Sequence, residues 1–457
     1  MDQAIDKFIR GTQFVNIVCA VKEEDLTKAK KVSDKYLEKK CVKFIPASGA
    51  ATRMFKDLYN YLDDHVETSF ISRFFEHIEV FPFYQDIKGD IEAKGLTYAS
   101  AEDKSKVIEL ILNDPLNYGH LPKALIKMHA YGDLGLTPID EHIYEGEQYL
   151  NKDAVKCHFT ISKEHKGLFD AYVASALAGK QEVTIEYSYQ KEQTDTLAVD
   201  MDNKPFIDDQ GDILYRAGGH GSLIENLNDL KGDIIFIKNI DNVCHKNQVK
   251  ATIDSKKILA SIGFEVKEQI DHYIASLLSD TYNLDEIASF IKETLNIVHK
   301  KALTKDLAFS LLNRPLRVCG MVKNQGEPGG GPFVVDNGDY LDLQICEMSE
   351  INVEDEKVGE ILNASQFFNP VDLICYVKDY KDDKFNLLAY TNQDRYFISE
   401  KTYKGRKLKA LEHPGLWNGA MHHWNTLFVE VPLSTFNPVK SVNDLLRAGH
   451  RDDSFNQ

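Results

Sequence analysis

The chain has 457 residues, of which 43% are hydrophobic and 27% are charged, so it can form one large α/β domain with insertions or two domains. Its formal net charge is −17, from 54 basic and 71 acidic residues, and no run is rich in lysine and arginine. Such a chain repels nucleic-acid phosphates, and we therefore expect no nucleic-acid partner.

The cysteines and the chain start indicate a cellular compartment. Seven cysteines are scattered without a CxxC pair, which argues against a disulfide framework and against a thiolate zinc site. The N-terminal stretch contains acids and has no long apolar core, so we expect no signal peptide. No stretch approaches the roughly 20 apolar residues that cross a bilayer. We therefore expect a cytoplasmic protein with no membrane partner.

The first part of the chain predicts helices around one strand. Residues 1–40 form a charged, helical N-terminal segment, and Lys43–Pro46 is a short apolar strand. Residues 56–118 are mostly helical and charged, as in a surface insertion. Thr137 stands before a proline at the first helical turn, which predicts a helix N-terminus.

The middle of the chain alternates strands and helices. The stretches "AVKCHFTIS" and "EVTIEYSYQ" are rich in β-branched and aromatic residues and predict strands, and the helical stretch between them ends at Gly179. The apolar run in "DIIFIKNID" predicts a further buried strand. This alternation is typical of a mostly parallel sheet. Residues 246–312 predict a second helical insertion, and "PFVVD", "YLDLQICE", "DLICYV" and "TLFVEV" predict later strands.

A loop of small residues follows the strand that ends at Pro46. It comprises Ser48, Gly49, Ala50, Ala51 and Thr52 and leads to Arg53 at a helix start. Small side chains let backbone N–H groups approach phosphate oxygens, and a helix N-terminus adds positive potential. Arg53 would then supply a cation for a triphosphate. A tight strand-to-helix turn with a surface arginine explains the pattern about equally well.

Two single residues are weaker candidates. Lys123 follows Pro122, and a lysine fixed in this way can point into a cleft as a phosphate-binding charge. In isolation, a solvated lysine at a helix start is the better interpretation. Gln190 closes a predicted strand and carries donors and acceptors that can bind a base edge. Most glutamines at strand ends are only solvated.

The segment Gly218–Asn242 combines a glycine turn, a helix, a buried strand and an acid. Gly219 and Gly221 permit positive φ angles and close approach of a ligand, with His220 between them. Asp241 follows the strand at its carboxyl end, where ligands of open α/β sheets bind. A carboxylate there suits Mg²⁺, which takes one or two carboxylates plus substrate phosphates. Turn formation by Asp241 is the alternative, but the required order of turn, strand and acid favours the ligand site.

Two later segments carry polar residues without a decisive pattern. The glycine-rich loop within Asn324–Val335 is either a cover for a ligand or a mobile hairpin. His422 and His423 precede a predicted strand, and adjacent histidines on a strand point apart, so at most one of them faces a ligand. Ser441, directly after Lys440, predicts a helix cap.

The order of these motifs resembles the UDP-sugar pyrophosphorylases, which are nucleotidyltransferases of the GT-A type. The matching segments are Ser48–Met54, Pro122-Lys123, Gly219-His220-Gly221, Asn239-Ile240-Asp241-Asn242, Asn425-Thr426 and Pro438-Val439-Lys440 before Asp444-Leu445-Leu446. The whole chain also resembles a bacterial family of similar length known only as a domain of unknown function. The resemblance implies a GT-A-like, three-layer α/β fold with a mixed, mostly parallel sheet and helical insertions.

The resemblance also implies domains and an activity. The nucleotidyltransferase-like domain would span residues 41–446, with insertions at about 56–118 and 246–312, and residues 447–457 would be a C-terminal tail. The implied enzyme joins a nucleoside triphosphate, by expectation UTP, to a sugar-1-phosphate and releases pyrophosphate.

Each matching residue receives a role from the resemblance. The implied catalytic residues are Arg53, Lys123 and Lys440. The implied nucleotide-binding residues are Ser48, Gly49, Ala50, Ala51, Thr52, Gln190, Gly219, His220 and Gly221, with Gln190 reading uracil. The implied substrate-binding residues are Asn239, Asn242 and Asn425, and Asp241 would bind Mg²⁺.

Two other functions remain open. A glycosyltransferase shares the GT-A sheet and a metal-binding acid, and Asp200-Met201-Asp202 provides the D-x-D pair typical of that class. A non-catalytic protein that binds nucleotide sugars is the second alternative, because the signature loop lacks glycines of the family pattern. The sequence leaves the base, the sugar and the oligomeric state undetermined.

Overall fold

The computed structural model describes residues 2–28, 31–326 and 330–452. The chain forms two compact units, each assembled from separate stretches of sequence. The first unit comprises the chain up to Val42, Gln190–Ile237 and Lys257–Val431, and the second comprises Lys43–Tyr189, Lys238–Lys256 and the chain from Pro432 onwards. The domain boundaries predicted at residues 40 and 446 stay a prediction. Glu327–Gly329 of the glycine loop and residues 453–457 of the predicted tail lie outside the described residues.

The described residues alternate helices and strands along the whole chain. The helices are α1 Asp2–Arg10, α2 Lys56–Asp64, α3 Ser69–Glu76, α4 Tyr84–Ala93, α5 Ala101–Leu112, α6 Pro138–Tyr149, α7 Lys166–Ala176, α8 Ile224–Asp229, α9 Lys250–Leu278, α10 Leu284–Glu293, α11 Lys305–Leu312 and α12 Glu356–Asn363. The strands are β1 Ile17–Ala20, β2 Cys41–Pro46, β3 His129–Tyr131, β4 Leu134–Leu136, β5 Val155–Thr160, β6 Val183–Ser188, β7 Thr196–Val199, β8 Tyr215–Arg216, β9 Ile234–Lys238, β10 Val298–His299, β11 Leu316–Lys323, β12 Gly331–Asp336, β13 Tyr340–Cys346, β14 Phe367–Phe368, β15 Asp372–Tyr376, β16 Phe397–Tyr403, β17 Arg406–Glu412 and β18 Asn425–Glu430.

The first unit contains a mixed sheet and two antiparallel sheets. In the mixed sheet the strand order is β14-β11-β15-β9, and β18 lies beside β11. β11 runs antiparallel to β15 and parallel to β18. The antiparallel sheets have the orders β1-β12-β13-β10 and β16-β17-β7-β8. The predicted α/β class with a mixed sheet is therefore confirmed.

In the second unit, β2, β5 and β6 are parallel neighbours in that order. Helix α7 connects β5 to β6, which confirms the predicted strand–helix–strand unit. Helix α6 begins where Thr137 predicts it: Thr137 caps the helix, and Asp140 bonds back to the Thr137 N–H at 2.9 Å. The loops that follow β2 and β9 carry the residues predicted to bind ligands.

The predicted surface insertion at 56–118 is instead part of the core of the second unit. Helix α3 buries Phe74 and Phe75 in this core, and the turn between α3 and α4 adds Phe81 and Phe83. The same cluster includes Val439, Val442 and other apolar residues of the C-terminal segment. The spacing of phenylalanines along these charged helices is what gives them a buried face. The insertion consequently supports the segment that carries Lys440.

Other expectations are corrected. The N-terminal segment is helical only over Asp2–Arg10; Ile17–Ala20 is a strand, and the charged stretch after it forms short 3-10 turns in the described residues. Strand β11 and the β16–β17 hairpin were not predicted. Within the described residues, no helix has both the length and the apolar character needed to cross a membrane.

Candidate functional site

Two predicted motifs of the second unit meet beyond the end of β2. Ala50, in the loop 47–55, forms a β-bridge with Pro122. The N–H of Lys123 donates to the carbonyl of Gly49 at 3.2 Å. The predicted phosphate loop and the predicted lysine are therefore direct neighbours, although the long helical insertion separates them in sequence.

The loop presents a row of backbone donors. Ser48, Gly49, Ala50, Thr52 and Arg53 are exposed, and within the described chain their backbone N–H groups donate to no protein acceptor. A Cβ added to Gly49 would meet nothing within 4 Å, so the backbone is open to solvent there. Successive unsatisfied N–H groups can bind phosphate oxygens. The loop keeps this capacity although most of its residues are not glycine.

Lys123 connects three of the predicted motifs. Its Nζ donates to Asp241 Oδ2 and to the carbonyl of Val439, both at 2.7 Å. The two charged side chains are only 16% and 20% exposed, so the ion pair is partly shielded from water. One cation thus contacts the end of β9 and the C-terminal segment together.

Backbone contacts fix the end of β9 to the C-terminal segment. The N–H of Val439 donates to the carbonyl of Asp241 at 3.2 Å. Asn242 forms a β-bridge with Pro438, and its Oδ1 accepts the N–H of Asn437 at 2.8 Å. Because Asn242 is 2% exposed, its side chain supports the backbone in this structure. Its predicted role in binding substrate stays a prediction.

Lys440 lies at the cap of a short helical turn. Its N–H and that of Ser441 both donate to Asp444 Oδ2 at 2.7 Å, which confirms the predicted cap at Ser441. The N–H of Val442 donates to the carbonyl of Met54 at 3.0 Å. The backbone of Lys440 is therefore held close to the end of the phosphate loop.

A buried polar face of α6, which was not predicted, lies under these segments. Glu145 accepts from Lys43 Nζ at 2.9 Å and from Lys238 Nζ at 2.7 Å, and all three side chains are almost fully buried. Burial alone would raise the pKa of Glu145, but Lys238 and Lys43 outweigh it and hold that pKa well below its usual value. Burial lowers the pKa of the Lys43 amine to about 8.

The same helix face supports the backbone that leads to Asp241. His142 Nε2 donates to the carbonyl of Ile240 at 3.1 Å, and His142 is fully buried. Burial lowers the pKa of His142 well below its usual value, so its ring is neutral. Asn239 is half-buried between Lys238 and Ile240. Helix α6 thus positions the residues on both sides of Asn239.

A second buried cluster joins β3, α6 and the C-terminal segment. His129 contacts Glu141 Oε1 through Nδ1 and His450 Nδ1 through Nε2, each at 2.9 Å. The Tyr131 hydroxyl donates to the same Glu141 oxygen at 2.7 Å. Burial raises the pKa of Glu141 to about 7 and lowers the pKa of His129 to about 3. The histidines of the cluster are therefore uncharged at neutral pH.

In the first unit, the predicted glycine turn is a tight turn around His220. Gly219 has a φ of +77°, which favours glycine, and a Cβ on Gly221 would lie 2.1 Å from the carbonyl oxygen of Pro414. The His220 ring stacks on Trp417 with 4.3 Å between ring centroids. Both glycines are therefore required for the position of the histidine.

The free edge of His220 faces an acid that was not predicted. The N–H of Leu416 donates to His220 Nδ1 at 3.1 Å, so a neutral ring carries its proton on Nε2. Nε2 lies 3.6 Å from Glu347 Oε1, and both side chains are partly exposed. A carboxylate beside an imidazole N–H can bind sugar hydroxyls through acceptor and donor together.

The predicted Asn-Thr element of the first unit is linked to this turn. Asn425 is 1% exposed, and its Nδ2 donates to the carbonyl of Leu312 at 3.3 Å. The buried Arg317 donates to Thr426 Oγ1 at 2.9 Å and to the carbonyl of Trp417. Trp417 therefore connects the Asn-Thr element to His220.

Gln190 makes only a long contact. Its Nε2 lies 3.5 Å from Asp195 Oδ1. A different glutamine, Gln193, lines a cavity of about 120 Å³ together with Gly221 and His413. Nothing in the sequence distinguishes Gln193 from Gln190, because both lie near the same strand end.

The D-x-D pair considered for a glycosyltransferase forms a local turn. Asp200 Oδ1 accepts the N–H groups of Asp202 and Lys204, each at 2.9 Å. The preceding strand β7 is buried, as expected, but it belongs to the antiparallel sheet β16-β17-β7-β8. The pair therefore does not follow a parallel strand, which is the position that a metal-binding acid of this fold class needs.

Asp241 was predicted to bind Mg²⁺, and its surroundings fit a metal that arrives with phosphate. Among the described residues, no group of three or more His, Cys, Asp or Glu side chains could hold a metal ion. Asp241 uses Oδ2 for Lys123 and remains 20% exposed. One carboxylate suits Mg²⁺ only with water and substrate phosphates as its other ligands. The open donors of the neighbouring loop suit those phosphates.

The fold defines the class of protein that the chain resembles. A mutant of UDP-glucose pyrophosphorylase from Leishmania major, in complex with UDP-glucose, matches with a TM-score of 0.51 and 14% identity over 99% of this chain and 74% of that one. Another mutant of the Leishmania major enzyme with UDP-glucose gives a TM-score of 0.50 and 13% identity at the same coverages. A UDP-glucose phosphorylase from Trypanosoma brucei gives 0.48 and 14% identity over 96% and 72% of the two chains. At these identities the first two matches show a shared fold.

The chain itself belongs to the family described as domain of unknown function (DUF4301), which matches residues 3–451. No curated protein matches the chain. Both resemblances predicted from the motifs, to UDP-sugar pyrophosphorylases and to a family of unknown function, are therefore confirmed.

Proposed function

We propose that the protein is a nucleotidyltransferase that forms a nucleoside-diphosphate sugar and pyrophosphate from a nucleoside triphosphate and a sugar-1-phosphate. The observation that carries the proposal is the contact of Lys123 Nζ with Asp241 and with the Val439 carbonyl. It joins the phosphate loop, the acid after β9 and the segment of Lys440 in one place. The shared fold with UDP-glucose pyrophosphorylase supports the same reaction class.

The reaction needs no protein nucleophile. A phosphate oxygen of the sugar-1-phosphate forms a bond to the α-phosphorus of the triphosphate, and the bond from that phosphorus to the bridging oxygen of the β-phosphate breaks. Pyrophosphate leaves with the electron pair of that bond. Catalysis then rests on positioning and on neutralising the charge that develops on the phosphates.

The second unit supplies the cations for this step. The loop N–H groups and Arg53 hold the triphosphate. Lys123 and Lys440 neutralise the α-phosphate and the sugar phosphate, and Lys123 exchanges its contact with Asp241 for a phosphate oxygen when the nucleotide binds. The neutral, fully buried His142 holds the backbone before Asp241 without adding charge.

Asp241 is the residue that would hold Mg²⁺, which supplies charge neutralisation across the phosphates. Asp241 is kept ready for this role by Lys123, because the ion pair fixes the carboxylate close to the loop donors. Asn239 and Asn242, which follow the same end of β9, are assigned to substrate binding.

The first unit supplies the groups assigned to the nucleotide sugar. His220 and Glu347 bind sugar hydroxyls as a donor and an acceptor. Gln190 is assigned to uracil, which makes UTP the proposed nucleotide, and Asn425 to substrate. We also propose that the fold is a three-layer arrangement of the GT-A type and that the protein is cytoplasmic.

A pyrophosphate-release assay tests the proposal. The full chain is incubated with Mg²⁺, each of four nucleoside triphosphates and a panel of sugar-1-phosphates. We expect release from at least one pair, with UTP the best nucleotide. Lys123→Ala should reduce the rate by roughly 100-fold or more, because it removes a charge contact of the transition state. Lys127→Ala is the matched control, since Lys127 pairs with Asp86 on the surface at 2.7 Å.

Three outcomes would contradict the proposal. Equal rates for Lys123→Ala and the parent protein would remove Lys123 from the chemistry. Tight binding of UTP or UDP-glucose by calorimetry, without pyrophosphate release from any pair, would identify a nucleotide-sugar-binding protein. Hydrolysis of a donor nucleotide sugar without pyrophosphate would instead identify a glycosyltransferase.

A further inference from the structure

A cavity of about 470 Å³ in the first unit takes no part in the proposed reaction. It is lined by the N-terminal stretch around Phe14, by Tyr340 at the start of β13, and by Arg395, His422 and His423. Tyr340 begins β13 and Glu347 directly follows its last residue, which places them about 23 Å apart along the strand at 3.3 Å per residue. The cavity thus opens at the far end of this strand from the acid beside His220.

His422 presents an N–H group to this cavity. Arg395 Nη1 lies 3.3 Å from His422 Nδ1, and because arginine can only donate, Nδ1 is the acceptor. The ring proton is therefore on Nε2, which bonds to no described residue. His422 is 4% exposed and nevertheless lines the cavity. The residue is buried as a whole, but Nε2 is accessible from the cavity, so water or a ligand can accept from it.

His423 has an Nε2 atom that also bonds to no described residue, and its protonation depends on Tyr340. Arg314 Nη1 donates to the Tyr340 hydroxyl at 3.4 Å, and that hydroxyl lies 3.4 Å from His423 Nδ1. The hydroxyl has one proton to give, and donation of that proton to Nδ1 places the ring proton of His423 on Nε2. His422 and His423 lie in a turn before β18 and both line the cavity, so the expectation that at most one of them faces a ligand is wrong. Their rings are 4.6 Å apart and almost perpendicular.

Positive charge surrounds the two imidazoles. Burial and the neighbouring Arg395 lower the pKa of His422 to about 2, and burial and Arg314 lower the pKa of His423. Arg314 stacks on the Tyr340 ring and forms no ion pair with any described acid. Arg395 is neutralised by Glu350 at 2.8 Å. Burial is the larger cause for both histidines, and the neighbouring arginines add a positive potential that attracts an anion.

The acids near the cavity do not cancel this potential. Each acid at the rim already has a cation: Asp336 with Lys300 and Asp339 with Lys301, both at 2.7 Å, and Asp394 with Arg10 at 3.8 Å. The buried Asp342 accepts from Asn337 and Gln344, and burial raises its pKa to about 7, so it is largely protonated below that pH. Arg314 interacts electrostatically with Asp342, so its charge is least compensated below about pH 7, where Asp342 is largely protonated.

We propose that this cavity binds the oxyanion group of a small molecule, either a phosphate or a carboxylate, through the Nε2–H groups of His422 and His423. Arg314, which donates to the Tyr340 hydroxyl, strengthens the binding as a nearby positive charge. The exposed ring of Phe14 covers the rest of the ligand. The site is independent of the proposed nucleotidyl transfer, because none of its residues belongs to that reaction.

Nitrogen NMR of histidine-labelled protein tests the site directly. Two-bond ¹H–¹⁵N spectra report the tautomer of each ring, and we expect the Nε2–H form for His422 and His423. Inorganic phosphate and citrate are then titrated separately, against sodium chloride of equal ionic strength. The Nε2 resonances of both residues should shift with one or both anions and not with chloride. Phosphate alone indicates a phosphate ligand, and citrate alone indicates a carboxylate.

Three variants make the result specific. His423→Phe removes the donor and should weaken anion binding by about tenfold or more, as expected for a hydrogen bond to a charged group. His423→Gln keeps an N–H donor and should weaken it less. His272→Phe is the control, because His272 is exposed on α9, and its ring lies beside that of Tyr273. Lys123→Ala should keep the effect, which separates this site from the phosphate loop.

Several results would overturn the proposal. They are Nδ1–H tautomers at both positions, shifts with chloride equal to those with the oxyanions, or equal anion affinity in His423→Phe and the parent protein. Loss of the anion effect in Lys123→Ala with retention in His423→Phe would assign the binding to the phosphate loop instead.

Discussion

At the scale of single residues, Glu145 is the clearest case of a buried charge that other buried charges need. Its removal would take away the carboxylate that pairs with the amines of two buried lysines. Glu145→Gln leaves Lys43 and Lys238 buried with one carboxylate fewer between them. We expect a loss of about 3–5 kcal/mol in the free energy of unfolding. Glu147→Gln on the same helix is the control; its pair with Lys180 is partly exposed and should contribute at most about 1 kcal/mol. Urea denaturation measures both, and equal losses would contradict the role of Glu145.

Asp342 should make stability depend on pH in an unusual direction. Its pKa is raised to about 7 in the folded protein, chiefly by burial, against a usual 3.8. Between these values the folded state binds more protons than the unfolded state, so stability falls as pH rises from about 4 to about 7. Asn337, Gln344, Arg314 and Arg317 face the carboxyl and limit the effect. The size is at most a few kcal/mol, about 1.4 kcal/mol for each unit of pKa difference.

Asp342→Asn is the variant that tests this dependence. The amide does not titrate, so the fall between pH 4.5 and 7 should be smaller than in the parent protein, whatever the absolute stability of the variant. Urea midpoints measured at several pH values give the comparison. Parallel pH profiles of the two proteins would show that Asp342 is already ionised at low pH.

Single residues also show what a sequence can reveal about a site. Lys123, Asp241 and Lys440 were predicted because each stands in a short motif at a fixed place in the order of elements. Glu145 carries no such sign, since a glutamate on a helix is usually solvated and its burial depends on Lys43 and Lys238 from other elements. Charged groups that stabilise each other in the interior are visible only when the tertiary contacts are known.

At the scale of elements, glycine substitutions should have different effects on stability in the turn around His220 and in the loop around Gly49. Gly221→Ala places a Cβ 2.1 Å from the Pro414 carbonyl oxygen, so the turn around His220 must shift. We expect destabilisation of about 1–3 kcal/mol, as for an overpacked core. Gly49→Ala meets nothing within 4 Å and should leave stability nearly unchanged. It should nevertheless weaken nucleotide binding, because the methyl group stands where phosphate would approach.

Thermal unfolding and nucleotide calorimetry on the same preparations check both expectations. Gly167→Ala is the control, because Gly167 lies in α7 with open space around its Cα and belongs to neither turn. A large stability loss in Gly49→Ala, or unchanged nucleotide affinity with unchanged stability, would contradict the assignment of the phosphate loop.

Elements with regular patterns were predicted, and elements with mixed patterns were not. The strand–helix–strand unit and β9 have continuous apolar or β-branched runs and were found where expected. β11 was not predicted, because Arg317 and Gly320 interrupt its apolar run, yet seven of its eight residues are buried. Arg317 fits there because its donors reach Thr426 and the Trp417 carbonyl. The hydrogen-bond acceptors of Arg317 come from neighbouring segments, so the sequence around Arg317 gives no sign of them.

At the scale of the whole molecule, a chain with a net charge of −17 must concentrate its cations to bind anions. In our proposals the second unit would do this with Arg53, Lys123 and Lys440, and the first unit with Arg314 beside two neutral histidines. Each group of cations is supported by its own unit, so the two sites can be perturbed separately. Ligand binding should therefore be visible as local protection in different parts of the chain.

Hydrogen exchange measured by mass spectrometry tests this separation. The backbone N–H groups of Ser48, Gly49, Ala50, Thr52 and Arg53 donate to no protein acceptor in the described chain, so they exchange rapidly without ligand. Because phosphate oxygens would accept from them, UTP with Mg²⁺ should slow exchange in this loop. The neighbouring stretches 121–125, 239–243 and 437–444 should be protected with it.

An oxyanion in the cavity of His422 and His423 should instead protect stretches of the first unit, at 336–342 and 421–424. Mg²⁺ without nucleotide is the control for the first effect, and sodium chloride is the control for the second. If UTP protected the stretches of both units from exchange in Lys123→Ala protein, the assignment of the nucleotide to the second unit would be contradicted. Protection by UTP confined to the cavity stretches would place the nucleotide on the histidines, and the phosphate loop would then have no ligand in the proposed reaction.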